Sequence, residues 1–228
     1  MENSQPAFEL LTTGDAVALS RFLEQNPTAS EARDANGVTL LMQSLYRGQR
    51  ELAELIASKK SALDLFEATS LGRLDRIQVC LDQAGAREAN GVSARSSDGF
   101  TALHFACFFR QPEAARLLLA SGAAPDAVAT NSMQVMPLHS AASARNLEAA
   151  RLLLEHGAPV NARQQGGWTP IHAAAGNGDR ALVELLLKHH ADPQLANDEG
   201  KTPAMTARES GHDEIAALLL ATPDEAIA

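Results

Sequence analysis

The sequence predicts an all-α solenoid, in which pairs of short helices stack in a row and share one long core. Runs of three leucines begin at Leu117, Leu152, Leu185 and Leu218, at intervals of 35, 33 and 33 residues, and such a regular period indicates a repeat array. Apolar residues make up 45% of the chain but aromatic residues only 4%, which favours thin layers of small and aliphatic side chains. Because one helix pair cannot bury its apolar face alone, we expect the units to be stable only when stacked.

One well-defined unit shows why each repeat should form two helices. Thr169 can cap the start of a helix with its hydroxyl, and Pro170 suits the first helical position because it has no amide hydrogen to leave unpaired. Residues 176–178 read Gly-Asn-Gly, which allows a left-handed turn after that helix. From Arg180 onward, leucine and valine recur at three- and four-residue spacing, so a second, amphipathic helix is predicted there.

The same pattern, followed along the chain, predicts a single domain over residues 1–228. We expect a helical cap at 1–33 and a charged capping repeat with a tail at 197–228. The repeats between them are predicted at 34–60, 61–94, 95–130, 131–163 and 164–196. Since Gly48 and Gly72 are only 24 residues apart, the repeat at 61–94 is expected to lack about one turn element.

Four segments begin with a common motif, seen as Thr101-Ala102-Leu103-His104, Pro137-Leu138-His139, Thr169-Pro170-Ile171-His172 and Thr202-Pro203. The motif and its period resemble the ankyrin repeat, whose signature is T-P-L-H-x-A. The resemblance implies an array of stacked helix-turn-helix units with β-turn or hairpin fingers between them. It also implies structural roles, with histidines that tie one turn to the next and threonines at helix starts, for His104, His139, His172, Thr101, Thr169 and Thr202.

The charge and the cysteines restrict the classes of partner and compartment. The chain has 19 basic and 28 acidic residues, a net charge of -9, and neither half is basic. Nucleic acids and anionic membranes require a concentrated positive patch, so we expect neither as a partner. No cationic leader and no run of 18 apolar residues occurs, and Cys80 and Cys107 lie in apolar helical stretches. We therefore expect a soluble cytoplasmic protein with reduced thiols.

Residues capable of chemistry are not arranged for catalysis. His104, His139 and His172 recur at 35 and 33 residues, so in an array they form a ladder that cannot converge on one metal ion. The spacing of the glycines at 176 and 178 is similar to that of a dinucleotide-binding motif. They follow a predicted helix start, however, and that motif must follow a strand. We expect no enzyme activity, no cofactor and no metal.

The ankyrin resemblance implies a binding surface on the concave face, made by the finger tips and the first helix of each unit. Five of the nine aromatic residues fall at its variable positions. With the neighbouring basic residues they form the predicted partner-binding set of Tyr46, Arg47, Phe100, Phe108, Phe109, Arg110, Trp168 and Lys201. Aromatic and arginine side chains are common anchors of interfaces, so we expect a module, monomeric when alone, that binds another protein.

Two alternatives stay open at this point. An enzyme or small-ligand binder could use a groove pocket near the irregular second repeat, around Leu65. A structural spacer could instead use aromatic residues such as Phe105 and Phe108 to fill its core. A separate expectation concerns Arg110 and Arg145, which stand where ankyrin repeats usually have glycine, so their turns should be strained or changed in shape.

Overall fold

The computed structural model describes residues 5–84 and 91–221, and within these ranges it contains fourteen α-helices and no strand. The prediction of an all-α repeat solenoid is confirmed. Predictions for residues 1–4, 85–90 and 222–228, including the end of the tail, lie outside the described residues. The helices are α1 (Gln5–Thr13), α2 (Ala16–Gln25), α3 (Leu40–Tyr46), α4 (Arg50–Lys59), α5 (Leu65–Leu71), α6 (Leu74–Ala84), α7 (Ala102–Phe108), α8 (Pro112–Ala120), α9 (Pro137–Ser143), α10 (Leu147–Glu155), α11 (Pro170–Gly176), α12 (Arg180–Lys188), α13 (Pro203–Glu209) and α14 (Asp213–Ala221).

The helices form two rows. Each odd-numbered helix packs against the even-numbered helix that follows it, and α1 with α2 forms the first such pair. Helices α5, α7, α9, α11 and α13 contact one another in sequence, and so do α6, α8, α10 and α12. The odd-numbered row therefore forms a continuous surface along the array, with the loops between units at one of its edges.

The core has two parts that meet at the second repeat. One cluster of buried apolar side chains extends from Ala7 to Leu71 and includes Phe105, and the other extends from Leu65 to Leu219. Leu63 and Phe66 pack against both clusters. The short helix α5 and the loop before it thus join the two halves of the array into one core.

Fingers project between most units as short antiparallel turns. Residue pairs Arg33 with Thr39 and Arg95 with Thr101 form isolated β-bridges at the bases of two fingers. The repeat made of α5 and α6 has no such finger, because residues 60–64 alone connect α4 to α5. This missing finger is the reason that Gly48 and Gly72 are close in sequence.

Two arginines adopt the backbone conformation that glycine adopts elsewhere in the array. Arg110 has φ 57° and Arg145 has φ 55°, close to the φ of 72° at Gly72 and 69° at Gly178. The interhelix turn therefore keeps its shape in these units. A side chain in the left-handed region clashes with its own backbone, so both arginines carry strain.

Candidate partner-binding groove

The motif histidines connect each unit to the loop of the next. The Nδ1 atom of His104 accepts the amide of Thr101 at 3.2 Å, and its Nε2 atom donates to the carbonyl of Val135 at 3.0 Å. His139 makes the same pair of bonds to Met136 and to the Ala162 carbonyl, 3.1 and 3.0 Å long. His172 bonds to Thr169 and to the Lys201 carbonyl, at 3.3 and 3.0 Å. Both nitrogens of each ring are therefore engaged within the protein.

Burial keeps these imidazoles neutral. It lowers the pKa of His104 to about 4 and also lowers the pKa of His139 and His172. Hydrogen bonds to the neighbouring carbonyls act in the opposite direction, but burial has the larger effect. At neutral pH the ladder carries no positive charge toward the surface.

The motif threonines take part in capping boxes at the starts of α7 and α11, as the sequence predicts. The hydroxyls of Thr101 and Thr169 also lie 2.8 Å from the Nδ1 atoms of His104 and His172, a contact that the sequence did not predict. In the last repeat, Met205 occupies the histidine position. The hydroxyl of Thr202 has no imidazole partner there and accepts the amide of Met205 at 3.4 Å. The contact between threonine and imidazole is therefore absent from the last repeat, and the backbone cap remains.

An aromatic cluster surrounds Phe105, which is only 3% exposed. Its ring centroid lies 5.8 Å from that of Phe66, 5.8 Å from that of Phe100, 6.2 Å from that of Phe109 and 6.5 Å from that of Tyr46. These rings come from three successive repeats of the array. Phe105 fills the core, and the others are anchored on it.

Phe108 lies at the outside of this cluster. Its ring meets that of Phe109 edge-on, with centroids 5.3 Å apart, and the residue is 47% exposed. It does not fill the core, contrary to the spacer hypothesis. Phe100 and Phe109 are half-buried, and Tyr46 is exposed.

A pocket of about 310 Å³ opens between α7 and α9, beside the exposed ring of Phe108. We call it the aromatic pocket. Most of its lining is apolar, and Met133 and Gln164 contribute from the loops before α9 and α11. Its lining residues are Tyr46, Phe100, His104, Phe105, Phe108, Met133, Val135, His139, Ser140, Ser143 and Gln164. Sequence reasoning missed Met133 and Gln164, because both lie in irregular loops without a repeat motif.

A second pocket, of about 340 Å³, lies between α9, α11 and α13. We call it the polar pocket, because Thr206, Ser210 and Asn177 line it beside Trp168. It shares His139, Ser143 and Gln164 with the aromatic pocket, so the two adjoin. Together they form a surface that we call the groove.

The structure places Trp168 at the boundary between finger and helix, where it is half-buried and packs edge-on against His172, with ring centroids 5.4 Å apart. Lys201 lies farther along and is already paired, since its Nζ atom is 2.8 Å from the carboxylate of Glu209. Trp168 thus belongs to the groove, whereas Lys201 is held by its own repeat.

The predicted arginines differ from Lys201 in their pairing. Arg47 and Arg110 are exposed, and neither forms an ion pair with any of the residues that the structure describes. Arg47 directly follows Tyr46, and Arg110 directly follows Phe109, so each adjoins the aromatic cluster. Tyr46 and Phe108 line the aromatic pocket, and the two unpaired arginines lie in the turns that directly follow their helices, α3 and α7.

A third pocket, of about 430 Å³, occupies the place of the missing finger. We call it the finger gap. It lies between the fingers at 33–39 and 95–101, and Arg33, Asp64 and Asp98 are among its lining residues. Tyr46 donates a hydrogen bond from its hydroxyl to the Asp98 carboxylate across this space. Sequence reasoning located a pocket near Leu65 but did not identify Asp98.

The described ranges hold no group of three histidine, cysteine, aspartate or glutamate side chains that could share a metal ion. Cys80 and Cys107 are free thiols, and burial raises the pKa of both. In the same ranges, the helices are too short or too polar for any of them to cross a membrane.

The sequence matches the family of ankyrin repeats, described as three copies, over residues 65–164 and 138–226. These matches cover more than half of the chain, so the protein belongs to the ankyrin-repeat family. No curated protein matches the sequence. Ankyrin repeats are generally protein–protein interaction modules, and the family is typically not enzymatic.

Proposed function

We propose that this protein binds another protein through the groove and performs no chemistry itself. The observation that carries the proposal is the position of Phe108, a large apolar side chain that is 47% exposed at the rim of the aromatic pocket. Exposed aromatic residues beside a formed pocket are typical anchors of protein interfaces. Tyr46 and Trp168 add further aromatic surface along the groove.

The polar groups of the groove support binding over catalysis. The ring nitrogens of His104 and His139, which line the aromatic pocket, are both occupied by backbone partners. Burial keeps both rings neutral at pH 7 by lowering the pKa of each. These histidines can contribute surface to a partner, but they have no free nitrogen with which to move a proton.

The test is a double substitution in the groove. A partner is first obtained by affinity capture from the native host, and its dissociation constant is then measured. F108A/W168A is expected to weaken binding by at least about 30-fold, because truncation of an interface anchor costs about 2 kcal/mol or more. Unchanged affinity would contradict the proposal.

The matched control is V17A/V79A, which truncates two exposed apolar side chains on α2 and α6, away from the groove. It should leave the affinity unchanged. Circular dichroism and urea unfolding of all variants show whether the array remains folded, which matters because Trp168 packs against His172.

A second candidate function is small-ligand binding in the finger gap. Its volume of about 430 Å³ and its lining of Arg33, Asp64, Arg95 and Asp98 favour a polar ligand. A thermal-shift screen of metabolites tests this candidate, since a ligand at 100 times its Kd stabilises a protein by about 2.7 kcal/mol. Stabilisation that is lost in R95A would support it, and a screen without a stoichiometric ligand would count against it.

We propose further that the protein is cytoplasmic, is a monomer when alone, and binds neither nucleic acid nor membrane. Two free thiols support a reducing compartment, and the net charge of -9 opposes binding to polyanions. Light scattering of the purified chain and fractionation of host cells test these points.

A further inference from the structure

We propose that the groove binds an extended segment of the partner, in which one bulky apolar side chain is flanked by aspartate or glutamate. This inference rests on the proposed function and deepens it. The apolar side chain enters the aromatic pocket, the following residues cross toward the polar pocket, and the carboxylates meet Arg47 and Arg110.

The aromatic pocket selects an apolar side chain. Its wall contains Tyr46, Phe100, Phe108, Met133 and Val135, and its volume of about 310 Å³ is at the small end of ligand pockets. The histidine nitrogens at its floor are already bonded to backbone groups. A polar side chain placed there would lose its hydrogen bonds to water without replacing them, whereas an apolar side chain gains from burial.

The arrangement of the two pockets favours an extended segment. They adjoin through His139, Ser143 and Gln164 and lie one repeat apart along the array. Packed helices are about 8–10 Å apart, and an extended chain in the polyproline II conformation advances about 3.1 Å per residue and returns to the same face every three residues, so the pockets match side chains three residues apart. The side chains of Ser143 and Gln164 make no hydrogen bond to other described residues, which leaves them free to pair with a peptide backbone.

The charge of the groove favours an acidic segment. Helices α3, α7, α9 and α11 contain no aspartate or glutamate, although the whole chain has 28 acidic residues. The turns that follow the first three of these helices each carry an arginine, at Arg47, Arg110 and Arg145. Arg145 lies 3.8 Å from the Asp179 carboxylate, but Arg47 and Arg110 are without an ion-pair partner among the described residues. The turns after α3 and α7 thus offer two unpaired cations on a negatively charged protein, and Asp98, the carboxylate beside Tyr46, already accepts the Tyr46 hydroxyl.

The experiment selects peptides on the intact chain. A displayed library of random twelve-residue peptides is selected against the wild-type protein, and enriched peptides are synthesised for measurement of Kd. The expected consensus has one aliphatic or aromatic residue with aspartate or glutamate within three positions of it. R47E/R110E should raise the Kd of such peptides at least about 10-fold. R151E, which changes an exposed arginine on α10, should leave the Kd unchanged.

A charge swap makes the test specific. Peptides whose acidic residues are replaced by lysine should bind R47E/R110E more tightly than they bind the wild-type protein. Urea unfolding confirms that each variant is folded before its Kd is interpreted.

The outcomes separate this inference from the proposed function. Peptides that lose binding in F108A but are indifferent to R47E/R110E would overturn the acidic segment and leave groove binding in place. Selected peptides that bind F108A and W168A as tightly as wild type would count against both. A selection without any enriched sequence would overturn the extended segment, because such a segment binds without a folded scaffold.

Discussion

The hydroxyl of Tyr46 donates a hydrogen bond to the carboxylate of Asp98, although the two residues are 52 positions apart in the sequence. The contact exists because the repeat between them has no finger, so the finger at 95–101 faces α3 directly. Burial and the nearby carboxylate raise the pKa of Tyr46, so the phenol stays protonated and remains the donor. This bond connects the first repeat to the third at the end of the groove where the aromatic cluster lies.

A double-mutant cycle measures that connection. Y46F removes the hydroxyl but keeps the ring stacked on Phe109, and D98N removes the acceptor charge. Each substitution should lower the free energy of unfolding by about 0.5–1.5 kcal/mol, because the bond is to a charged group but is partly exposed. The urea-derived coupling energy should be clearly favourable. Additive effects would show that the bond does not hold the two repeats together.

Most of the fold follows from patterns that are local to one repeat. The leucine triplets and the motif at Thr169–His172 each specify a helix within about ten residues, and stacking then follows because no unit buries its own apolar face. The missing finger also follows, since the short distance between Gly48 and Gly72 leaves no residues to build it. These inferences need no knowledge of contacts between distant segments.

The site depends on such contacts and is less accessible to sequence reasoning. Phe108 and Phe109 are neighbours in sequence, yet one is exposed and the other is stacked between Tyr46 and Phe105. Only the packing of α3 against the third repeat makes that distinction. Met133 enters the groove from an irregular loop, whose path no periodic pattern specifies.

The buried histidines should make the array sensitive to mild acid. The pKa of His104 falls from its usual 6.5 to about 4 on folding, so the unfolded chain binds a proton first as the pH decreases. The stability that the neutral His104 contributes is fully present above about pH 6.5 and is lost between pH 6.5 and 4. Between pH 7 and 5, His104 should account for a loss of about 1–2 kcal/mol.

H104Q tests this dependence, because glutamine can donate to the Val135 carbonyl but does not titrate. Urea unfolding at pH 7 and 5 should show a smaller loss for H104Q than for the wild-type protein. Substitution of His189, a half-buried residue in the turn after α12, by glutamine is the control and should leave the loss unchanged. Equal losses in H104Q and wild type would contradict the assignment.

The strained turn at Arg145 should be relieved by glycine. A left-handed L-residue costs about 1–2 kcal/mol, and glycine returns about 0.5–1 kcal/mol of this through its greater freedom in the unfolded chain. R145G should therefore raise the free energy of unfolding by about 0.5–1 kcal/mol, despite the loss of a weak ion pair to Asp179. The urea midpoint measures the change.

Gly48 provides the reverse control for that prediction. It has φ 72°, and a Cβ atom added there would meet no other atom within 4 Å. G48A should therefore destabilise the protein through backbone strain alone, by about 1 kcal/mol. If R145G is neutral while G48A destabilises, the turn at Arg145 carries less strain than its φ implies.

The buried side chain of Lys60, just before α5, forms ion pairs with two carboxylates. The Nζ atom of Lys60 lies 2.6 Å from a carboxylate oxygen of Glu31 and 3.3 Å from one of Glu67, and the side chains of Lys60 and Glu67 are 3% and 1% exposed. K60M leaves the Glu67 carboxylate buried without its cation, so the expected destabilisation is about 3–5 kcal/mol. K59M, which removes the exposed pair of Lys59 with Glu24, should change the stability by less than about 1 kcal/mol.

The double variant K60M/E67Q identifies the cause of that loss. Burial raises the pKa of Glu67 even with Lys60 present, so a neutral glutamine should be tolerated and K60M/E67Q should be more stable than K60M. A folded-state pKa above the unfolded value means that protonation favours folding, so the deficit of K60M relative to wild type should shrink as the pH falls from 7 to 5. Urea unfolding at both pH values measures this. If K60M/E67Q is no more stable than K60M, the loss comes from the packing of the lysine stem and not from an unpaired carboxylate.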